Sequence, residues 1–258
     1  MEIGSVHKSC IAVLAALVAP FIAVADDRTS IVSEPASAPV VVELFTSQAC
    51  PYCPKADKYL AKLAERDDII ALSMPINFWD FTGWSDTLAR PEHGARQKAY
   101  AKVLGNRRVY TPQAVVNGRF NVKGDKYAKM DAKIAEAREN AAAPFSAIVS
   151  DAQLRLELPA LSLEDPAAIW LISYNSGPIG VPVSGGENKG KVLQYVNVAT
   201  GMRKIGEWSG AAETVNTSLS LEEAAAECVV LVQKGGVGPV VAAARCDALK
   251  TVEANAAL

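Results

Sequence analysis

The stretch LFTSQACPYCP at residues 44–54 carries two cysteines, Cys50 and Cys53, directly after a short apolar run. That run, Val40 to Phe45, is rich in β-branched residues, which predicts a buried strand. A helical pattern follows, from about Pro51 to Arg66. Two thiols three positions apart at the start of a helix lie on one side of its first turn, close enough to form a disulfide.

The position of Cys50 predicts a reactive thiol. At a helix start the sulfur lies near unpaired N–H groups and the positive end of the helix dipole, which favour the thiolate that attacks disulfides. The predicted chemistry is therefore dithiol–disulfide exchange. It requires the Cys50 sulfur to be accessible.

The composition of the chain is that of an ordinary globular protein. Its 258 residues are 50% hydrophobic and 21% charged, and the formal net charge is −2. A balance this close to neutral gives no reason to expect nucleic acid or an anionic membrane as a partner.

The N-terminus predicts export. Residues 1–25 resemble a secretory signal peptide, and residues 26–39 are polar enough to be a flexible leader. The alternative is a membrane anchor, but the apolar run of about 14 residues is shorter than the roughly 20 that a span needs. We expect cleavage, no membrane association afterwards, and a bacterial periplasmic location.

The exported form keeps an even set of four cysteines. Cys228 and Cys246 flank a glycine-rich turn at equal distances from Val237, which predicts opposed strand residues joined by a structural disulfide. The alternative is two free buried thiols.

Metal and cofactor signals are weak. Structural zinc needs four ligands, and no second C-x-x-C or C-x-x-H occurs. Only His93 remains among the histidines after signal cleavage. We expect no cofactor, although Cys50 and Cys53 could hold copper(I), because soft metals prefer thiolates.

The remaining elements predict an α/β fold in two domains. Residues 40–143 have the order βαβαββα, with Asn117-Gly118 as a tight hairpin turn. Residues 144–258 contain short strand candidates separated by glycine-rich turns, which predicts a smaller, mainly antiparallel β domain.

Thr111-Pro112 directly precedes a predicted strand of the first domain. A cis bond there would bring the chain beside the cysteines and leave the Thr111 backbone free to pair with an extended peptide. An ordinary trans turn is the alternative, since only about 5–6% of X–Pro bonds are cis. The position within the βαβαββα order favours cis.

These motifs resemble the thioredoxin superfamily, and the Pro51-Tyr52 dipeptide is typical of glutaredoxins. More closely, the chain is similar to domain-of-unknown-function family 1223 of secreted bacterial proteins, through motifs that extend into the second domain. Those motifs are Glu43–Gln48, Lys55–Asp57, Phe78–Asp80, Gly83–Asp86, Arg96–Ala101, Glu187-Asn188, Asn197-Val198 and Gly206–Trp208. That family usually has two serines between the cysteines, so Pro51-Tyr52 should alter the reduction potential.

The resemblance implies roles for three residues. In the thioredoxin superfamily the first cysteine attacks and the second resolves, which assigns these steps to Cys50 and Cys53. The cis-proline role falls to Pro112.

Glu43 is a further catalytic candidate. It lies in an apolar strand and could accept the proton of the second thiol, whereas the alternative is a carboxylate paired with Lys or Arg. Pro51, Tyr52, Thr111 and Trp79 are the predicted substrate-binding residues around the cysteines. For Trp79 the alternative is that it only packs within its loop, which also contains Trp84.

The sequence therefore predicts a periplasmic thiol–disulfide oxidoreductase. Its substrates would be protein or glutathione-like thiols and disulfides, with an unidentified redox partner. One alternative is a non-catalytic binding protein on a thioredoxin scaffold; a copper(I) carrier is another.

Overall fold

The computed structural model describes residues 1–2 and 38–248. The predicted signal peptide and leader lie almost entirely outside these residues. From Ala38 onward the described chain belongs to one compact unit. None of the helices described is long and apolar enough to cross a bilayer.

The first half of the chain has the predicted thioredoxin-like order βαβαββα. Its elements are β1 (Val40–Thr46), α1 (Cys53–Ala64), β2 (Ile69–Pro75), α2 (Pro91–Val103), β3 (Gln113–Val116), β4 (Phe120–Lys123) and α3 (Tyr127–Glu139). Strand β1 lies between a parallel β2 and an antiparallel β3. The β3–β4 turn is Asn117-Gly118, with φ of 46° and 61°, as a tight hairpin turn requires.

Strand β1 is buried along its whole length and divides two cores. Val40, Val42 and Leu44 pack with α1 and α3 on one side. Val41 and Phe45 pack with α2 on the other side. A strand that is buried on both faces has apolar residues at nearly every position. The sequence of β1 therefore does not alternate between apolar and polar residues.

The second half of the chain is mainly antiparallel β structure. Its elements are β5 (Ser146–Ser150), β6 (Gln153–Leu158), β7 (Ala167–Pro182), β8 (Val192–Trp208), β9 (Glu213–Ser218), α4 (Leu221–Ala225), β10 (Glu227–Gln233), β11 (Val240–Arg245) and β12 (Asp247–Ala248). Four of these strands form a separate sheet in the order β12-β5-β6-β9.

The other strands of the second half join the first half in one sheet. The order of this eight-stranded sheet is β11-β10-β7-β8-β2-β1-β3-β4. The junction is a short parallel pairing of Ser73 with Val198, supported by the Asn197 amide, which donates to the Ala71 carbonyl at 3.0 Å. The domain boundary at residues 143/144 stays a prediction, but strands from both sides of it share this sheet.

Strands β7 and β8 are much longer than the sequence predicts. The predicted strands, Ile169–Tyr174 and Val192–Val198, are only parts of a hairpin that continues through a segment rich in glycine and proline. Register shifts within the hairpin accommodate these residues. The connection between the two strands, residues 183–191, reaches back to the first half of the chain.

Cys228 and Cys246 lie at the far edge of the eight-stranded sheet. Their sulfurs are bonded, with 5.2 Å between the Cα atoms. The backbone amide of Cys246 also donates to the Cys228 carbonyl at 2.9 Å. The disulfide therefore closes the open end of the β10–β11 hairpin.

Candidate active site

The two cysteines lie in the turn that leads from β1 into α1. The Cys50 amide donates to the Ser47 carbonyl at 3.1 Å, and the Cys53 amide donates to the Cys50 carbonyl at 3.3 Å. The predicted helix start at Pro51 is two residues too early, since α1 begins at Cys53. Cys50 therefore precedes the helix, and of the two cysteines only Cys53 lies in it.

The two thiols have opposite electrostatic environments. A hydrogen bond from the Cys53 side chain, helped by the Thr111 hydroxyl and the Tyr52 and Cys53 amides, lowers the pKa of Cys50 to about 7 against the effect of burial. Burial raises the pKa of Cys53 well above its usual value, and the hydrogen bond to Cys50 adds to this. Cys50 is thus the thiol that ionises first.

The prediction of an accessible Cys50 sulfur is wrong for this conformation. Cys50 and Cys53 are both 0% exposed, whereas the intervening Pro51 and Tyr52 are exposed. The turn that carries Cys50 is covered by two loops from other parts of the chain, described below. A substrate disulfide reaches the sulfur only after a local movement.

Pro112 lies where the resemblance implies. The Thr111-Pro112 bond is cis, and the Pro112 carbonyl accepts from the Gly124 amide at 2.9 Å. A cavity of about 310 Å³ opens beside this bond, lined by Tyr52, Tyr110, Thr111, Pro112, Lys123 and Asp125. It lies beside the cysteine turn, because Tyr52 is one of its walls.

The four predicted substrate-binding residues occupy different environments. Tyr52 is 65% exposed at the cavity, and Pro51 beside it is exposed as well. Thr111 is a cavity wall, and its hydroxyl also accepts a hydrogen bond from the Trp79 indole at 2.7 Å. Trp79 is not among the cavity residues. Binding of substrate by all four stays a prediction.

Glu43 does not lie behind the second thiol as predicted. Its carboxylate forms a buried ion pair with Arg96 of α2, with an Nη2–Oε2 distance of 3.0 Å, and accepts from the Tyr100 hydroxyl. Glu43 lies two residues from both Val41 and Phe45, so it shares their face of β1 and points to the α2 side, whereas the cysteine helix α1 packs on the opposite side. The alternative given for it, a carboxylate paired with a cation, is what the structure has.

The carboxylate beside Cys53 is Asp57, which the sequence analysis left without a role. It lies one turn further along α1, is 3% exposed, and interacts electrostatically with Cys53. Neither carboxylate oxygen has a hydrogen bond of standard geometry among the described residues, and an interaction with the Thr46 hydroxyl favours the ionised form. Burial raises the pKa of Asp57 well above its usual value. An acidic residue in the buried stripe of α1, four positions after a cysteine, is the signal that would have found it.

A second buried polar side chain reaches this site from the other half of the chain. Tyr195 of β8 is 1% exposed, and within the described structure its hydroxyl has no hydrogen-bond partner. Helix α1 packs against β8. Burial raises the pKa of Tyr195, and the charge of Asp57 is the next largest cause.

One covering loop, residues 82–88, fixes Gln48. The Asp86 carboxylate accepts from the Gln48 amide at 2.7 Å, and the Trp84 indole donates to the Gln48 side-chain oxygen at 2.8 Å. The Gln48 side-chain amide donates to the Thr87 hydroxyl at 3.0 Å. This loop therefore holds the turn before Cys50 from one side.

The other covering loop is the β7–β8 connection. Asn188, which is 0% exposed, donates through its side-chain amide to the carbonyls of Gln48 and Cys50 at 2.9 and 2.8 Å. Gly186 has a φ of 63° and lies so close to the turn that an added Cβ would be 3.0 Å from that of Ala49. Asn188 belongs to the Glu187-Asn188 motif of the family resemblance, but no local pattern in the sequence indicates a contact with the Cys50 turn.

Metal binding finds little support in this part of the chain. Residues 1–2 and 38–248 contain no group of three or more His, Cys, Asp or Glu side chains that could hold an ion. A copper(I) ion would have the two thiols alone.

Two solved structures resemble this fold. A crystal structure of a protein from Agrobacterium tumefaciens is 28% identical, covers 81% of this chain and 94% of that chain, and superposes with a TM-score of 0.72. HBP35 of Porphyromonas gingivalis is 15% identical, with 86% and 78% covered and a TM-score of 0.58, a likeness of fold alone.

A short region also resembles a thioredoxin. It is 47% identical over 38 residues to a protein from Archaeoglobus fulgidus described as a probable thioredoxin. The match covers 15% of this chain and 42% of that relative, so the chain matches less than half of the relative's length.

A whole-family comparison covers far more of the chain. The profile described as protein of unknown function DUF1223 matches residues 41–233, from β1 to the end of β10. That range includes the cysteine turn, the Thr111-Pro112 bond and the β7–β8 connection with Asn188. The chain belongs to the DUF1223 family.

Proposed function

We propose that this protein is an exported, thioredoxin-like thiol–disulfide oxidoreductase that acts through Cys50 and Cys53. The observation that carries the proposal is the asymmetry of the two thiols. The pKa of Cys50 is lowered to about 7, while burial raises that of Cys53. A nucleophile that is ionised near neutral pH beside a thiol that stays protonated is the arrangement that two-step disulfide exchange requires.

In the first step the Cys50 thiolate attacks one sulfur of a substrate disulfide. A bond forms between Cys50 and that sulfur, the substrate S–S bond breaks, and the other substrate sulfur leaves as a thiolate. The cavity beside Pro112 is where an extended substrate would lie, since the Thr111 backbone and the exposed Tyr52 ring line it.

In the second step Cys53 must lose its proton before it can act. The Asp57 carboxylate accepts it, because this is the buried carboxylate that interacts with Cys53 and no hydrogen bond of standard geometry occupies its oxygens among the described residues. The Cys53 thiolate then attacks Cys50, the Cys50–Cys53 disulfide forms, and the substrate sulfur leaves as a thiolate that takes up a proton.

Access to Cys50 sets a condition on the first step. Because the sulfur is fully buried, exchange proceeds from a locally opened state rather than from the closed conformation. Pro51 and Tyr52 are the exposed residues of the turn, so we expect the opening to involve them. The cap formed by Asn188 would limit the size of the opening.

The proposal is tested by insulin reduction with dithiothreitol and by equilibration with glutathione buffers. We expect catalysed insulin reduction and a defined Cys50–Cys53 redox equilibrium, both lost in Cys50→Ser. Tyr174→Phe, a change on the other half of the sheet, is the matched control and should behave as the wild type. Absence of both activities in the wild type would overturn the proposal.

Location and partners are part of the same proposal. The signal-like N-terminus and the Cys228–Cys246 disulfide support an oxidising compartment such as the bacterial periplasm. Protein or glutathione-like thiols and disulfides are the proposed substrates, and a separate redox protein would restore the Cys50–Cys53 pair. Cell fractionation of the full chain tests the location.

The burial of Cys50 favours one second candidate, a non-catalytic binding protein on the same scaffold. A thiol pair that never opens would serve only to hold the turn between β1 and α1. In that case a captured partner would still bind after Cys50→Ser and Cys53→Ser, and the insulin assay would be negative. Loss of the partner with the thiols would exclude this candidate.

A further inference from the structure

The β7–β8 connection, residues 183–191, is a compact loop that presents one side chain, Asn188. The Val183 amide donates to the Lys191 carbonyl at 2.9 Å, and the Gly190 amide donates to the Val183 carbonyl at 2.8 Å, which closes the loop at its base. Lys191 Nζ donates to the side-chain oxygen of Asn188 at 2.9 Å. The loop therefore fixes both the place and the orientation of the Asn188 amide.

The Asn188 amide spends both of its donors on the cysteine turn. It has two N–H bonds to give, and they go to the carbonyls of Gln48 and Cys50 at 2.9 and 2.8 Å. The side chain is 0% exposed. One residue of the second half thus holds the main chain on both sides of Ala49. Moving the Cys50 main chain away from the loop breaks both bonds.

The β7–β8 connection also fits closely against the other covering loop. A Cβ added at Gly185 would lie 2.5 Å from the Gly83 carbonyl oxygen and 3.3 Å from the Cβ of Trp84. Trp84 and Leu88 pack on the apolar cluster that contains Val183. The two covering loops therefore support each other, and the closed state of the turn depends on both.

We propose that Asn188 is a positioning residue that controls access to Cys50. Its two bonds hold the cysteine turn closed, so small thiol-reactive molecules react only during brief openings, whereas a polypeptide disulfide docked beside the turn holds it open. The inference deepens the proposed function, since it names polypeptides as the favoured substrate class over small disulfides.

The preference follows from how each reactant meets the open state. A small disulfide that does not saturate the protein reacts in proportion to the fraction of open molecules. A polypeptide that binds the open turn shifts the population toward it. The cavity of about 310 Å³ beside Pro112 offers the contacts for this, because one wall is Tyr52, which is 65% exposed and belongs to the turn that has to move.

The test measures alkylation of Cys50 by iodoacetamide in full-length protein with Cys10→Ser and Cys53→Ser, at about pH 9, where Cys50 is ionised. Asn188→Leu keeps a side chain of similar size but removes both donors. Because each lost bond favours the open state, alkylation should be about 10- to 30-fold faster. Lys191→Met leaves both donor bonds in place and should change the rate by about twofold or less.

Gln233 supplies a matched control away from the cysteine turn. Its side chain is also 0% exposed and donates to the Tyr100 hydroxyl and the Gly238 carbonyl at 3.0 and 2.8 Å. Gln233→Met removes a comparable pair of donor bonds and should leave alkylation unchanged while the protein is folded. The Asn188→Leu rate should also stay nearly constant in low urea, because a local opening exposes little surface. Faster alkylation in Gln233→Met, or a rate that follows global unfolding, would overturn the proposal.

A second variant covers the case in which Asn188→Leu does not fold. Gly185 has an extended backbone with a φ of −147°, so alanine can adopt its conformation, but the added Cβ would meet the Gly83 carbonyl. Gly185→Ala therefore pushes the two covering loops apart while Asn188 keeps its donors, and alkylation should again rise. Alkylation at the parental rate in the folded variants would overturn the proposal.

Two disulfides test the choice of reactant, by formation of a mixed disulfide at Cys50 in the same background. With hydroxyethyl disulfide, Asn188→Leu should raise the second-order rate constant by the same factor as with iodoacetamide. With insulin it should lower the half-saturating concentration and leave the limiting rate within about twofold. A limiting rate for insulin that rises by the full factor would overturn the preference for polypeptides. A protein that is alkylated as expected but forms no mixed disulfide would refute the proposed function and leave the control of access by Asn188 standing.

Discussion

Strand β1 separates two buried polar clusters whose hydrogen bonding is opposite. On the α2 side, Glu43 is held by the Arg96 guanidinium and the Tyr100 hydroxyl, and the Gln233 side chain completes the cluster. On the α1 side, Asp57 is also buried, but no hydrogen bond of standard geometry holds its oxygens in the described structure, and only an interaction with the Thr46 hydroxyl is seen to favour its ionised form. The two buried tyrosines differ in the same way. The Tyr100 hydroxyl is bonded to Glu43 and Gln233, whereas the Tyr195 hydroxyl has no partner among the described residues.

We infer from this difference that the Glu43 cluster serves mainly the fold, and that the Asp57 cluster is available for the proposed chemistry. An unpaired buried polar group costs about 1–3 kcal/mol, so burying the Asp57 carboxylate and the Tyr195 hydroxyl without standard hydrogen bonds is unfavourable to the fold. In the Glu43 cluster both carboxylate oxygens are bonded and the cluster joins α2 to β10, although Arg96 Nη1 has no partner among the described residues. The Asp57 carboxylate lacks such bonds and lies at Cys53, where the proposed mechanism needs a group able to take a proton.

The largest effect should come from breaking the paired cluster. Arg96→Met leaves the Glu43 carboxylate buried without its cation, and such losses cost about 3–5 kcal/mol in the free energy of unfolding. Urea denaturation measures this. Arg66→Met, which removes an exposed arginine bonded to Asp68, should cost less than about 1 kcal/mol. Equal losses in the two variants would remove the contrast.

The next largest effect should come from the unpaired carboxylate. Asp57→Asn cannot accept the Cys53 proton, so resolution of a mixed disulfide at Cys50 should slow about 100-fold, within the range of general base catalysis. Stopped-flow release of the bound thiol measures this step. Attack by Cys50 should be unchanged, and Glu43→Gln should leave resolution intact in the fraction of protein that folds. A normal resolution rate in Asp57→Asn would take the base role away from this residue.

The two tyrosines give a smaller, matched comparison. Tyr100→Phe deletes a hydroxyl bonded to Glu43 and Gln233 and should cost about 1–3 kcal/mol of unfolding free energy. Tyr195→Phe deletes a hydroxyl without a partner in the described residues, so the protein should keep its stability or gain slightly. Thermal unfolding of both variants measures the difference. A larger loss in Tyr195→Phe would contradict it.

The smallest effect is a pH dependence of stability. Burial raises the folded-state pKa of Asp57, so the folded chain binds this proton more tightly than the unfolded chain. The wild type therefore loses stability as the pH rises from the unfolded value of about 3.9 to the raised pKa. Asp57→Asn lacks this loss, and its advantage in urea midpoint should grow over that window. Parallel curves would show that Asp57 titrates normally.

The sequence carried enough local signal to predict the first half of the fold. Short β-branched runs, the Asn117-Gly118 turn and the cysteine motif each depend on residues close together in the chain, and the structure has the expected βαβαββα order. The cysteine site itself was predicted only in outline. The burial of Cys50 results from loops distant in sequence, which no local pattern reports.

Glu43 and Asp57 show why the acidic residue was assigned incorrectly. The strand β1 is buried on both sides, so its apolar run does not reveal which side Glu43 faces. Asp57 was readable in principle, as a carboxylate in the buried stripe of α1. The contact of Asn188 with Cys50 could not be predicted from the sequence, because it depends on the pairing of β2 with β8.

That pairing has a practical consequence for anyone who shortens the chain. A fragment that stops at residue 143 would keep the CPYC sequence but leave one side of β2 as a bare edge, open to pairing with other chains. It would also lack the Asn188 side-chain amide that holds the Cys50 carbonyl and the buried Tyr195 phenol of β8. The portion that looks like a self-sufficient redox module is thus only part of the working unit, and minimal versions should be cut elsewhere.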